Sequence, residues 1–167
     1  MITGVMINKS AWGPGPWQTE PDRLDFISHG FACLALRHPH HGHWCGYVGV
    51  PEGHPRFGKE SDEMGDLRFH GGVNYAEPCE GDICHTPAPG MPDHVWWIGG
   101  DFGHHYDISP GMEALLSGVV SDLSTRDPEA SRFLNCGHGR ARYRDVAYVR
   151  HEIEQLAAQL DAEVRIV

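Results

Sequence analysis

The sequence predicts an α+β fold: a mostly antiparallel β-sheet of about four to six strands, a C-terminal amphipathic helix packed on one face, and many irregular loops. Three observations predict it. Short apolar runs at 31–36, 44–50 and 95–98 are each bounded by Gly, Pro or polar residues. A single long stretch near the end, 145–161, carries a helical period instead. The 21 glycines and 12 prolines break the rest of the 167 residues into turns.

Each element follows from its residues. Residues 1–22 contain AWGPGPWQTEPD and read as an irregular arm, with Trp12 and Trp17 anchoring it to the body. From Leu24 the pattern turns strand-like. The runs 31–36 and 44–50 flank RHPHHGH, which predicts a hairpin with a His-rich loop. Cys33 and Cys45 could face one another across it, and the expected state is a buried pair of free thiols. His38, His40, His41 and His43 suit either a transition-metal site or an exposed loop. The Gly- and Pro-rich loop 50–60 carries His54, Arg56 and Lys59, either as cations over a pocket or as solvated charges in a crossover. Residues 66–75 predict a third strand that bends at Gly71-Gly72, with His70 just before the bend. The fourth strand, 95–98, meets a similar break at Gly99-Gly100. Pro110 and Ser109 mark the start of a short helix over 112–121. Residues 124–142 read as polar and irregular, with a Gly-His-Gly-Arg turn at 137–140. In the last helix Val146, Val149, Ile153, Leu156, Ala157 and Leu160 form one apolar face, Asp145 caps it, and Glu152 and Glu154 are solvated. Residues 164–167 predict a short edge strand.

Length and composition bound the function. The 167 residues make a single domain with enough chain for a core. The formal net charge of −10 excludes broad nucleic-acid binding and an anionic membrane surface. It admits a small phosphate-bearing ligand, because a bound cation reverses the local field. No run reaches the roughly 18 apolar residues of a membrane span, and the N-terminus lacks a secretory pattern. With five cysteines, an odd number, the expectation is a cytoplasmic protein with reduced thiols. No phosphate loop, dinucleotide fingerprint, H-E-x-x-H or G-x-S-x-G is present.

Chemistry concentrates in HVWWIGGDFGHHYDISP, residues 94–110. A strand there feeds a loop with Asp101, His104 and Asp107 at three-residue spacing and His105 alongside. If the two Gly-Gly steps are neighbours, His70 joins this cluster. The resulting expectation is a metal-dependent hydrolase of a small phosphate ester or a (cyclic) nucleotide. Asp101, His104, Asp107 and His70 would hold a divalent Zn, Mn or Mg ion, and His70, His104 and Asp101 would carry the catalysis. His54, Arg56 and Lys59 would bind the anion, with Tyr75 and Trp97 as stacking surface. Two alternatives stand beside it. The same pocket would sequester a small ligand or a host protein without chemistry. Or Cys79, Cys84 and His85, in the C-x4-C-H string, would form a structural zinc module with Cys136 or His138 as a distant ligand.

The strings CGYVGVPEGHPRFGK (45–59), HGGVNY (70–75), ICHTPAPG (83–90), VWWIGGDFGHHYD (95–107) and YRDVAYVRHEIEQLA (143–157) resemble a family of small proteins carried by phages and bacteria. The resemblance spans roughly residues 24 to 160. It implies a phage or mobile-element setting, hence the host cytoplasm and a role in counter-defence, but it brings no reaction. The related family string often has Cys-Ala-His after the Asp, whereas this chain has Phe102-Gly103-His104. The Asp and His positions match and the Cys does not, so a thiol role there is not expected.

Overall fold

The structure is a computed structural model, and it describes residues 6–126 and 140–165. Five strands form one antiparallel sheet: β1 (Arg23–Ser28), β2 (Phe31–Arg37), β3 (Trp44–Pro51), β4 (Tyr75–Pro78) and β5 (Val95–Asp101), in the order β1-β2-β3-β5-β4. Among the described residues two α-helices follow, α1 (Pro110–Arg126) and α2 (Val146–Arg165). This is the expected α+β architecture.

Strand alternation divides the apolar residues between two faces. Cys33, Ala35, Trp44, Val48, Val50, Ile98 and Phe102 form the larger core with α2, which contributes Val149, Ile153, Leu156, Ala157 and Leu160. Gly46 makes this packing close, since a Cβ there would lie 2.8 Å from Ile153 Cδ1. The opposite face holds Ala32, Leu34, Tyr47, Val95 and Trp97, with Tyr75 and Ile83 against them. Asp145 caps α2 by accepting from Tyr148 N at 2.8 Å.

The N-terminal arm is two 3-10 turns, Ser10–Trp12 and Pro16–Gln18. Trp17 anchors it edge-on against Tyr143, with ring centroids 5.0 Å apart. The arm also supplies Glu20 and Asp22 to the fully buried side chain of Arg37. Arg37 donates to Glu20 Oε2 at 2.8 Å, Asp22 Oδ1 at 2.9 Å, Gly42 O at 2.9 Å and Tyr143 Oη at 2.8 Å. Its guanidinium lies 4.3 Å over the Trp44 ring. Glu20 in turn accepts from Val146 N at 2.9 Å, the first residue of α2.

Several expectations change. Residues 66–74 are not a strand. Gly71 and Gly72 both have positive φ (68° and 89°), Gly72 N donates to Phe69 O, and pairing begins only at Tyr75. Conversely, Gly99-Gly100 does not break β5. A Cβ at Gly99 would overlap the Gly46 carbonyl, so glycine permits a close strand contact there. Cys33 and Cys45 do not face one another. Cys33 pairs with Val48 and Cys45 with Leu36, which puts the two free thiols on opposite faces. The helix expected over 112–121 is longer, and it packs on the Ser10–Trp12 turn with Leu115, Leu116 and Val119 exposed. The edge strand expected at 164–167 is instead the end of α2 at Val164 and Arg165. The turn expected at 137–140 lies largely outside the described residues, as do Cys136 and His138.

Cys79 and Cys84 are bonded to one another as a disulfide, their Cα atoms 4.8 Å apart. The turn between them is closed by reciprocal backbone bonds of Glu80 and Ile83. This overturns the expectation of reduced thiols at these positions, and it removes both sulfurs from any zinc set. His85 Nε2 is spent on Pro92 O at 3.2 Å.

Replacing Arg37 with Ala would strand the Glu20 carboxylate in its half-buried site. The expected loss is about 3–5 kcal/mol of unfolding free energy, read from urea melts against wild type.

Candidate functional site

The site lies at one end of the sheet, where β5 ends and β3 begins. Asp101 pairs there with Cys45. Four chain segments converge on it: the hairpin loop with His43, the turn before β4 with His70 and Asn74, the loop after β5, and the lead-in to α2 with Arg144 and Tyr148.

Asp107 is its fixed point, with a side chain only 1% exposed. Oδ1 accepts from Arg144 Nε at 2.7 Å, and Oδ2 accepts from His70 Nε2 at 2.6 Å and from the His104 backbone N at 3.1 Å. Burial by itself would raise the Asp107 pKa, but Arg144 and His70 outweigh it and hold the carboxyl below its ordinary value. His70 Nε2 donates to the ionised Asp107, which in the neutral ring leaves Nδ1 as the basic nitrogen. Nδ1 lies 3.1 Å from the Tyr148 hydroxyl, which donates to it in that tautomer. The His70 ring stacks on Phe102 at 4.9 Å, and Arg144 lies 4.8 Å over the Tyr148 ring.

Beside this row stands a second pair. Asp101 Oδ2 accepts from Asn74 Nδ2 and Oδ1 from Gly103 N, both at 2.8 Å. Burial again opposes ionisation, but these donors, with His104 and His43, hold the Asp101 pKa below the ordinary carboxylate value. His104 Nδ1 is 4.0 Å from Asp101 Oδ1, and its ring centroid is 5.5 Å from that of His70. Gly71 makes room for it, because any Cβ there would overlap the His104 ring. His104 Nε2 is buried with no partner among the described residues. His105 is exposed and packs edge-on against Tyr106, so His104 is the one that faces the site.

Thus His70, Asp101, His104 and Asp107 come together as expected. The Asp107 oxygens and both His70 nitrogens are, however, already engaged with each other, with Arg144, with the His104 backbone N and with Tyr148. Among the described residues no group of three or more His, Cys, Asp or Glu side chains is arranged to hold a metal ion. The His-rich loop is a stack of rings, with His38 centroids 4.3 Å from His41 and 4.9 Å from His43, and His38 Nδ1 accepts from the backbone of His40 and His41.

The expected anion-binding residues do not converge here. His54, Arg56 and Lys59 follow Pro51, which pairs with Val95 at the other end of β3, about 20 Å from Cys45 at roughly 3.3 Å per residue. His54 donates to Leu160 O at 3.0 Å. Arg56 is held by Glu163 and Asp66, and Lys59 by Glu63 at 3.1 Å. Tyr75 and Trp97 lie on the sheet face away from α2, and Trp97 is fully buried.

Asn74, Arg144 and Tyr148 were not singled out as site residues from sequence, and His43 was read only as part of the His-rich loop. Tyr148 and Arg144 sit at the start of a clearly helical pattern, which masks them as capping and surface residues. The alternation Arg140-x-Arg142-x-Arg144 is the one signal that marked this stretch.

The site makes stability depend on pH in two windows. His43 is pushed down to about 4, by burial first and then by His38, so the unfolded chain takes a proton that the folded site refuses. Stability therefore falls as pH drops from about 6.5 toward 4. Asp107 works the other way round: its lowered pKa stabilises fully above the unfolded value of about 3.9 and is lost as pH falls through the folded value. Urea midpoints across pH should show a smaller first limb in His43→Gln and a smaller second limb in Asp107→Asn, each reduced but not abolished because His38, Asp101 and Glu20 shift in the same directions. Comparison with protein-family models, with curated proteins and with solved structures returns no match, so the functional reading rests on this geometry.

Proposed function

We propose that this protein is a hydrolase of a small phosphate ester, with a nucleotide as substrate, and that His70 and Asp107 form its proton-transferring pair. The observation that carries the reading is the buried Asp107 carboxylate, anchored by Arg144 and orienting His70 at 2.6 Å. A buried, ion-paired carboxylate that fixes one imidazole nitrogen leaves the other basic and stabilises the imidazolium that forms.

In the proposed step, Tyr148 passes its proton to His70 Nδ1 as it takes one from water. The water oxygen attacks phosphorus, and the ester P–O bond breaks. The leaving oxygen takes a proton from solvent water, and His70 then releases the one it gained. The Arg144 Nη groups, which have no hydrogen bond among the described residues, stabilise the charge that builds on the phosphoryl oxygens. If a divalent cation takes part, Asp101 and His104 are the residues that would hold it, and it would polarise the phosphoryl oxygen. A cytoplasmic setting, in a host cell if the gene is phage-borne, belongs to this proposal. The Cys79–Cys84 bond would there be exposed to cellular thiols.

Turnover of a nucleotide and phosphodiester panel is the test. His70→Ala and Asp107→Asn should each lower kcat by about 100-fold or more, and Tyr148→Phe by about tenfold. Full activity in His70→Ala would end the proposal. An unchanged small molecule released on heating, with no turnover by wild type, would instead favour sequestration of a ligand. Metal content of wild type beside Asp101→Ala decides whether a cation is involved.

A further inference from the structure

Residues 140–144 read Arg-Ala-Arg-Tyr-Arg. This segment runs alongside the site loop: Arg142 N donates to Tyr106 O and Ile108 N to Arg142 O, both at 2.9 Å, so Arg142 pairs with Asp107 in a parallel bridge. Paired residues share a side of the ribbon, and in extended chain so do residues two apart. Arg142 and Arg144 therefore lie on the Asp107 side, and Arg144 makes the ion pair that proves the direction. Arg140 precedes this extended stretch, in a 3-10 turn, and brings another exposed cation to the same segment.

These cations differ from most of the others. Arg23, Arg37, Arg56, Arg126, Arg150 and Arg165 each have a carboxylate partner. The exposed side chains of Arg140 and Arg142 have none among the described residues. In a chain of formal net charge −10, an unneutralised pair beside the proposed reaction centre is a local reversal of field. Guanidinium groups bind phosphate oxygens in bidentate fashion.

We propose that the substrate carries more than one phosphate, as a nucleoside polyphosphate does. Arg144 holds the phosphate that is attacked, and Arg142, with Arg140 close by in sequence, holds those beyond it. This assignment rests on the acid–base reading of His70 and Asp107, but binding tests it separately from turnover.

Titration calorimetry with orthophosphate, pyrophosphate and tripolyphosphate is the experiment, on wild type, Arg140→Ala/Arg142→Ala, His70→Ala and a control, Arg126→Ala. Wild type should bind tripolyphosphate at least about tenfold more tightly than orthophosphate, and the double variant should reduce that preference to about twofold. His70→Ala and Arg126→Ala should keep the preference. Equal affinities in wild type, or an undiminished preference in the double variant, would overturn the assignment. So would a short single-stranded oligonucleotide that binds more tightly than tripolyphosphate. The preference without turnover of any nucleotide removes the hydrolase reading alone, and turnover without the preference removes this one alone.

Discussion

The guanidinium of Arg37 joins three stretches of chain that are far apart in sequence. It binds the N-terminal arm through Glu20 and Asp22, its own hairpin through the Gly42 carbonyl, and the lead-in to α2 through Tyr143. A buried charge is costly unless every donor is matched, and here Nε and both Nη groups are used. Glu20 extends the same network to the first backbone N–H of α2. Burial works against an ionised Glu20, but Tyr143, the Val146 N–H and Arg37 together hold its pKa below the ordinary value. The apolar face of α2 supplies attraction to the sheet but little direction. The Arg37 network fixes where the helix begins, and so where Arg144 and Tyr148 stand relative to Asp107.

That placement turns a polar loop into a site. Asp107 is buried where the loop after β5 meets the segment before α2, and each group it binds comes from a different part of the chain. Glycines let these parts approach. Gly71 leaves space for His104, and Gly103 for His43, where a Cβ would lie 2.9 Å from the ring. At Gly100 a Cβ would lie 2.7 Å from Asn74 Oδ1, so the residue that orients Asp101 depends on that glycine too. The two histidines and two carboxylates are therefore held by packing and by directed hydrogen bonds, the condition for preorganised chemistry.

Much of this could be read along the chain. The hairpin β2–β3, the strand into Asp101, the capped helix after Asp145 and its buried face all follow from local period and turn residues. The grouping of His70 with Asp101, His104 and Asp107 followed from two Gly-Gly steps on neighbouring strands. It holds even though one step precedes its strand and the other lies within it. Arg56 and Lys59 show the limit. They looked like cations awaiting an anion, yet Glu163, Asp66 and Glu63 already neutralise them at the opposite end of β3. Cys79 and Cys84 looked like free thiols or zinc ligands, because four residues of spacing do not say that a reciprocal turn will bring the two Cα atoms within 4.8 Å.

By itself the sequence determined the α+β class, the strands with clear apolar runs, the amphipathic helix and the cluster of Asp and His after β5. These depend on periodicity and on turn chemistry within a dozen residues. Only the tertiary structure decided which donor meets which acceptor. Asp107 takes Arg144 and His70 across separations of 37 residues each, and His70 takes Tyr148 across 78. Such contacts depend on strand order and on where a helix docks, and no local pattern encodes either.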